Sequence, residues 1–162
     1  MDNTKTNSSK FKRTQVYEIE GGPLIVGDEL PNLILESASG TVHLHDYIKS
    51  HLIVALISTS CNVCEDALEA IYEYISQNPE KLNILILLNA NALQAREVQK
   101  IMDKSAVVIN VTLEMLLKGF KTTYLPLGFA VDGEGRIKSI EAFSNRSKFE
   151  SLITPIFDRE KV

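Results

Sequence analysis

The chain has no tryptophan, and its 162 residues include only two cysteines and three histidines. That is too few soft ligands for a structural zinc site, which takes four and usually a second Cys or His pair; His43, His45 and His51 do not supply one. Basic residues cluster only in Lys10-Phe11-Lys12-Arg13, and the net charge is −4. Phosphate neutralisation needs a concentrated Lys/Arg face, so a nucleic-acid partner is not expected. No apolar run reaches bilayer-spanning length and no signal-peptide core follows Met1, so the sequence as written reads as cytoplasmic. If Met1 is not the natural start and an N-terminal anchor precedes it, the alternative is a membrane-anchored protein outside the cytoplasm. Internal repeats are absent, and the length suits one well-buried core.

What is present is a pair. The two cysteines stand three positions apart in Ser60-Cys61-Asn62-Val63-Cys64-Glu65, between an apolar run and an amphipathic segment. The run Leu52-Ile53-Val54-Ala55-Leu56-Ile57 has the length and branched content of a fully buried strand, and Ser58-Thr59-Ser60 offers helix caps. Cys61 is therefore expected at a helix N-terminus, where unpaired amides and the positive end of the helix dipole favour a thiolate. The spacing brings both sulfurs within bonding reach, so Cys61 can attack a disulfide and Cys64 can resolve the product. The redox group is then the Cys61–Cys64 disulfide itself, with no metal and no other cofactor expected. A structural bridge would restrain little chain entropy across so short a loop, and two inert buried thiols are the remaining alternative. A reducing cytosol keeps such a pair as thiols at rest, which suits catalysis better than structure.

Residues 1–23 are expected to be a flexible polar tail and connector, because Met1–Gln15 is rich in Asn, Thr, Ser and Lys. Residues 24–162 form the expected domain. Segments 31–35 and 39–44 read as an edge hairpin around Gly40, with His43 and His45 facing solvent. The buried strand, a helix over 62–76 ended by Asn78-Pro79, the apolar run 82–88 and a helix over 91–102 give a strand–helix–strand–helix order. Such an order favours parallel strands with right-handed crossovers. A short strand at 107–109, a helix over 112–120, and strands around the Asp132-Gly133-Glu134-Gly135 turn follow. The last helix is expected over 147–156, with Pro155 disturbing its final turn. The predicted fold is α/β: a mixed central sheet, its last two strands antiparallel, flanked by helices on both faces.

That order, with CxxC after a buried strand, resembles the thioredoxin fold, and the added N-terminal β-hairpin narrows the likeness. Val26-Gly27-Asp28-Glu29-Leu30-Pro31-Asn32-Leu33-Ile34-Leu35 is similar to the lead-in segment of the TlpA/ResA-type thiol:disulfide oxidoreductases and their peroxiredoxin cousins, in the alkyl hydroperoxide reductase and thiol-specific antioxidant superfamily. Gly40-Thr41-Val42-His43-Leu44 matches their hairpin return, and Leu125-Pro126 through Ile137 resembles their segment in which a cis-proline precedes a strand. The resemblance covers roughly residues 24 to 157. It implies that Pro126 is cis and that Leu125 and Pro126 border the cysteines as a substrate-binding edge.

Three departures bear on mechanism. Ser60 stands where thioredoxins carry an aromatic, and Asn62-Val63 replaces the usual dipeptide. Ala55, six positions before Cys61, replaces a buried acid that assists proton transfer, leaving Glu65 or Asp66 as possible substitutes. With Glu69 these acids disfavour a thiolate nearby, which points to a reductant. The implied function is thiol:disulfide exchange with protein substrates, served by an electron-donor or acceptor protein, in a monomer. One alternative is a peroxiredoxin-like thiol peroxidase, although Val54 takes the place of its proline and no Arg flanks Cys61. The other is a redox-inactive binding module that keeps only the fold.

Overall fold

Eight consecutive residues with almost no solvent contact, His51–Ser58, form strand β3 at the centre of the molecule. Leu52, Val54 and Leu56 point to one side of it, and Ile53, Ala55 and Ile57 to the other. Each of its large aliphatic side chains contributes about 1.5–3 kcal/mol by leaving water. The computed structural model describes residues 22–161 except residue 80, and the side chains of 158–161 are not described. The predicted polar tail therefore lies, up to residue 21, outside the described residues.

Ahead of β3, strands β1 (Ile34–Ser37) and β2 (Gly40–His43) pair antiparallel as a separate hairpin, with Gly40 at φ 116° in the turn. The remaining strands are β4 (Ile84–Asn89), β5 (Val107–Asn110), β6 (Leu127–Asp132) and β7 (Ile137–Glu141). The sheet order is β5-β4-β3-β6-β7. The first three strands run parallel and the last two pair antiparallel, as the sequence pattern predicts. Four helices complete the domain: α1 (Cys64–Gln77), α2 (Ala92–Met102), α3 (Leu113–Gly119) and α4 (Arg146–Lys161).

Both crossovers, β3-α1-β4 and β4-α2-β5, deliver their helices to one face, where α4 joins them; α3 and the hairpin cover the other. On the α1 side the core closes with Phe149, which meets Tyr74 edge-on at 5.6 Å between ring centroids and Phe143 at 5.5 Å. Gly128 on β6 leaves room for that packing: a Cβ would come within 2.5 Å of Leu152 Cδ2 and 3.1 Å of Phe143 Cε1, so a side chain there would force Leu152 and Phe143 to shift. The lead-in segment lies along β7, with the Gly27 amide donating to the Ile137 carbonyl and the Leu30 amide to the Gly135 carbonyl, both at 2.8 Å.

Three expectations need correction. Helix α1 starts at Cys64 rather than Asn62, and its N-cap is Val63, with no side-chain capping bond. Ser58 lies too far ahead of Val63 to cap it, and its hydroxyl instead donates to Asn89 Oδ1 (3.0 Å) and contacts Ser60 Oγ (2.9 Å). The last helix does not stop at Ile156 but runs through Pro155 to Lys161. Burial of Ile156 and the contact of Phe157 with Tyr74, at 6.2 Å between centroids, hold the chain helical beyond the missing proline N–H. Finally, His45 does not share an exposed strand face with His43. It lies half-buried in a 3-10 turn over Leu44–Tyr47, its Nε2 2.6 Å from the Leu30 carbonyl.

Candidate active site

Where β3 ends, the chain turns twice before α1 begins. The Cys61 amide donates to the Ser58 carbonyl (3.1 Å) and the Cys64 amide to the Cys61 carbonyl (3.3 Å). Cys61 thus sits in the turn ahead of the helix, half-exposed, rather than at the helix N-terminus itself. Cys64 is the first helical residue and is 1% exposed. The Ser58 amide donates to its sulfur at 3.4 Å. Both cysteines are free thiols in this structure.

The two sulfurs have different surroundings, and that difference decides their chemistry. Burial pushes the Cys64 thiol up to about 12 from an ordinary 9.0. The hydrogen bond it makes to Cys61 pushes the same way, as does the charge of Cys61 when ionised, and the Ser58 amide opposes them in part. At neutral pH Cys64 therefore holds its proton. The accessible sulfur belongs to Cys61, whose Sγ lies 3.6 Å from the Leu125 carbonyl and can donate to it. The Leu125–Pro126 peptide is cis. Cys61 and Leu125 thus meet although 64 positions separate them in sequence.

On its other side Cys61 opens into a groove of about 480 Å³, lined by Ser58, Cys61, Cys64 and Glu65 and walled beyond by Gln94 and Glu97 of α2. Glu65 and Asp66 are both exposed on the first turn of α1, but only Glu65 lines this groove. Ala55 lies fully buried in β3 and offers no acid behind the cysteines. Among the described residues no group of His, Cys, Asp or Glu is arranged to hold a metal, and no helix is long and apolar enough to cross a membrane.

Asn89 is the residue that sequence reasoning missed. At the end of β4 its carbonyl accepts from the Thr59 amide (3.0 Å), its Oδ1 accepts from Ser58, and its Nδ2 donates to the Val111 carbonyl (3.0 Å). It therefore clamps the pre-cysteine turn to two neighbouring strands. Thr59 Oγ1 also lies 3.2 Å from Gln94 Oε1, and Gln94 completes a capping box with Asn91 at the start of α2. The signal was an amide directly after the apolar run 82–88, where a polar residue at a strand end faces whatever the sheet carries at its C-terminal edge.

No protein-family model matches the sequence, and no curated protein does. Solved structures do. A thioredoxin-like protein determined in its oxidised form superposes with a TM-score of 0.68 at 18% identity, covering 84% of this chain and 99% of that one. A thiol:disulfide interchange protein from Bacteroides sp. gives 0.60 at 16% identity, covering 81% and 91%. The exposed lipoprotein thioredoxin Etrx1 of Streptococcus pneumoniae gives 0.57 at 17% identity, covering 76% and 98%. What this chain shares with them, over most of its length, is the architecture just described: it has a thioredoxin-like fold.

Proposed function

We propose that the protein is a thiol:disulfide oxidoreductase that reduces disulfides in protein substrates. The observation that carries this reading is the asymmetry of the pair: a half-exposed Cys61 beside the Leu125–Pro126 edge, backed by a buried Cys64 that keeps its proton. In the first step the Cys61 thiolate attacks one sulfur of the substrate disulfide. A Cys61–substrate bond forms, the substrate S–S bond breaks, and the displaced sulfur leaves as a thiolate that takes a proton. In the second step Cys64 gives up its proton and attacks Cys61 Sγ. The Cys61–Cys64 disulfide forms and the second substrate sulfur leaves. The substrate gains two electrons and two protons, and a donor dithiol restores the pair.

Leu125 and Pro126 supply the edge along which an extended substrate backbone would lie. Glu65, which lines the groove together with Cys64, is the candidate to take the Cys64 proton in place of the missing buried acid, and Asp66, which does not line it, is the second candidate. The proton that the buried Cys64 keeps favours the reducing direction, because a dithiol that gains little from ionising at neutral pH gives up its electrons more readily. A peroxidase has less support, because the groove walls are acidic, polar and apolar where peroxide turnover requires a cation near the thiolate.

Turnover distinguishes these readings. Catalytic amounts of the protein are expected to accelerate dithiothreitol-driven reduction of a disulfide-bonded protein, while consuming hydrogen peroxide no faster than a free thiol does. Peroxide turnover with a recycling reductant, without disulfide reduction, would establish the peroxidase. Neither activity, with partner capture persisting after both cysteines are replaced by serine, would establish the binding module.

A further inference from the structure

The groove beside Cys61 has walls of a definite chemistry. On α2 the residues facing it are Gln94, Glu97, Val98 and Ile101, which recur at one-face helical spacing; on α1 they are Glu65 and Leu68. Each wall thus presents one carboxylate and at least one aliphatic side chain. Ile101 is 58% exposed, so its apolar surface is available rather than spent in the core. The cations of α2, Arg96 and Lys100, fall off this face and do not line the groove, and Asp66 and Glu69 add further negative charge on α1. An acidic wall with exposed aliphatics accepts a side chain that has an apolar stem and a positive end.

We propose that this groove selects substrate segments whose reactive cysteine is flanked by Lys or Arg together with a large aliphatic residue, and disfavours anionic disulfides such as oxidised glutathione. The inference rests on the exchange reaction proposed above and assigns its substrate class. The cationic head pairs with Glu65 and Glu97, and its methylenes and the aliphatic neighbour cover Leu68, Val98 and Ile101. The chemistry is unchanged: Cys61 displaces one sulfur of the disulfide, and the groove raises the fraction of encounters in which the correct sulfur lies against it.

Three synthetic peptides test this, each carrying one cysteine as a mixed disulfide with 2-mercaptoethanol and flanked by Lys-Leu, Gln-Leu or Glu-Leu. Each rate is divided by that of free dithiothreitol on the same peptide, which removes differences in leaving-group reactivity. The Lys peptide is expected to react about tenfold faster than the Glu peptide at low salt, equivalent to about 1.4 kcal/mol. That ratio should shrink in about 0.5 M salt, where screening acts within a few ångströms, and fall or invert in Glu97→Lys. Replacing Leu by Ser in the Lys peptide should slow it. Normalised rates that are equal across the three peptides, or a ratio unchanged in Glu97→Lys, would overturn the selectivity while leaving the exchange reaction standing. Failure to reduce any peptide, or any disulfide-bonded protein, would overturn the exchange reaction itself.

Discussion

Cys64→Ser protein mixed with a disulfide-bonded substrate is expected to accumulate a covalent adduct through Cys61, whereas Cys61→Ser accumulates none and loses turnover by about 10³-fold or more. The half-exposed Cys61 sulfur reaches an incoming disulfide beside Leu125, and the buried Cys64 cannot. With Cys64 gone, nothing attacks the Cys61–substrate bond from within and the intermediate persists. Non-reducing electrophoresis followed by mass spectrometry of the linked peptides reads the result. Equal trapping by both variants would mean that either sulfur can attack, and the asymmetry of the site would then have no chemical role.

A second large effect is expected in alkali, in the reduced protein alone. The unfolded chain releases the Cys64 proton near the ordinary 9.0, and the folded chain only near 12. Between those values the unfolded state binds fewer protons than the folded one, so stability falls as pH rises. The contribution is fully present below pH 9 and lost by 12, with a limiting slope of about 1.4 kcal/mol per pH unit. The oxidised protein has no Cys64 proton to lose. Urea unfolding of both forms at intervals from pH 8 to 10.5 gives the difference, in which lysine and tyrosine titrations common to the two cancel. Reduced and oxidised curves that stay parallel would show that burial does not hold the Cys64 proton.

The strands were legible because their residues leave little choice. Runs such as 52–57 and 84–88 are apolar throughout and too short for buried helices, and Asp132-Gly133-Glu134-Gly135 can hardly be anything but a turn. The cysteine pair was legible for the same reason, since only one pair exists. The helix start was not. Two turns, closed on the Ser58 and Cys61 carbonyls, carry the helix start on to Cys64, and the Ser58 hydroxyl is held by Asn89, 31 positions away. The overrun of α4 past Pro155 likewise rests on Phe157 meeting Tyr74, a long-range contact with no local signal. The groove was hidden because it needs α1 and α2 on one face, and only the shared handedness of two crossovers puts Glu97 near Cys61. His45 was misplaced because alternation in the sequence is read as a strand, while the Leu30 carbonyl draws its ring inward.

The reducing direction is the central claim, and the equilibrium between the Cys61–Cys64 pair and glutathione buffers tests it most directly. Quantifying oxidised and reduced protein by thiol alkylation across a series of glutathione ratios yields the potential of the pair. The burial of Cys64 and the proton it holds predict a value near that of thioredoxin, about −270 mV. A value near −120 mV, typical of strong disulfide-forming oxidants, would contradict the account and make the protein a donor of disulfides.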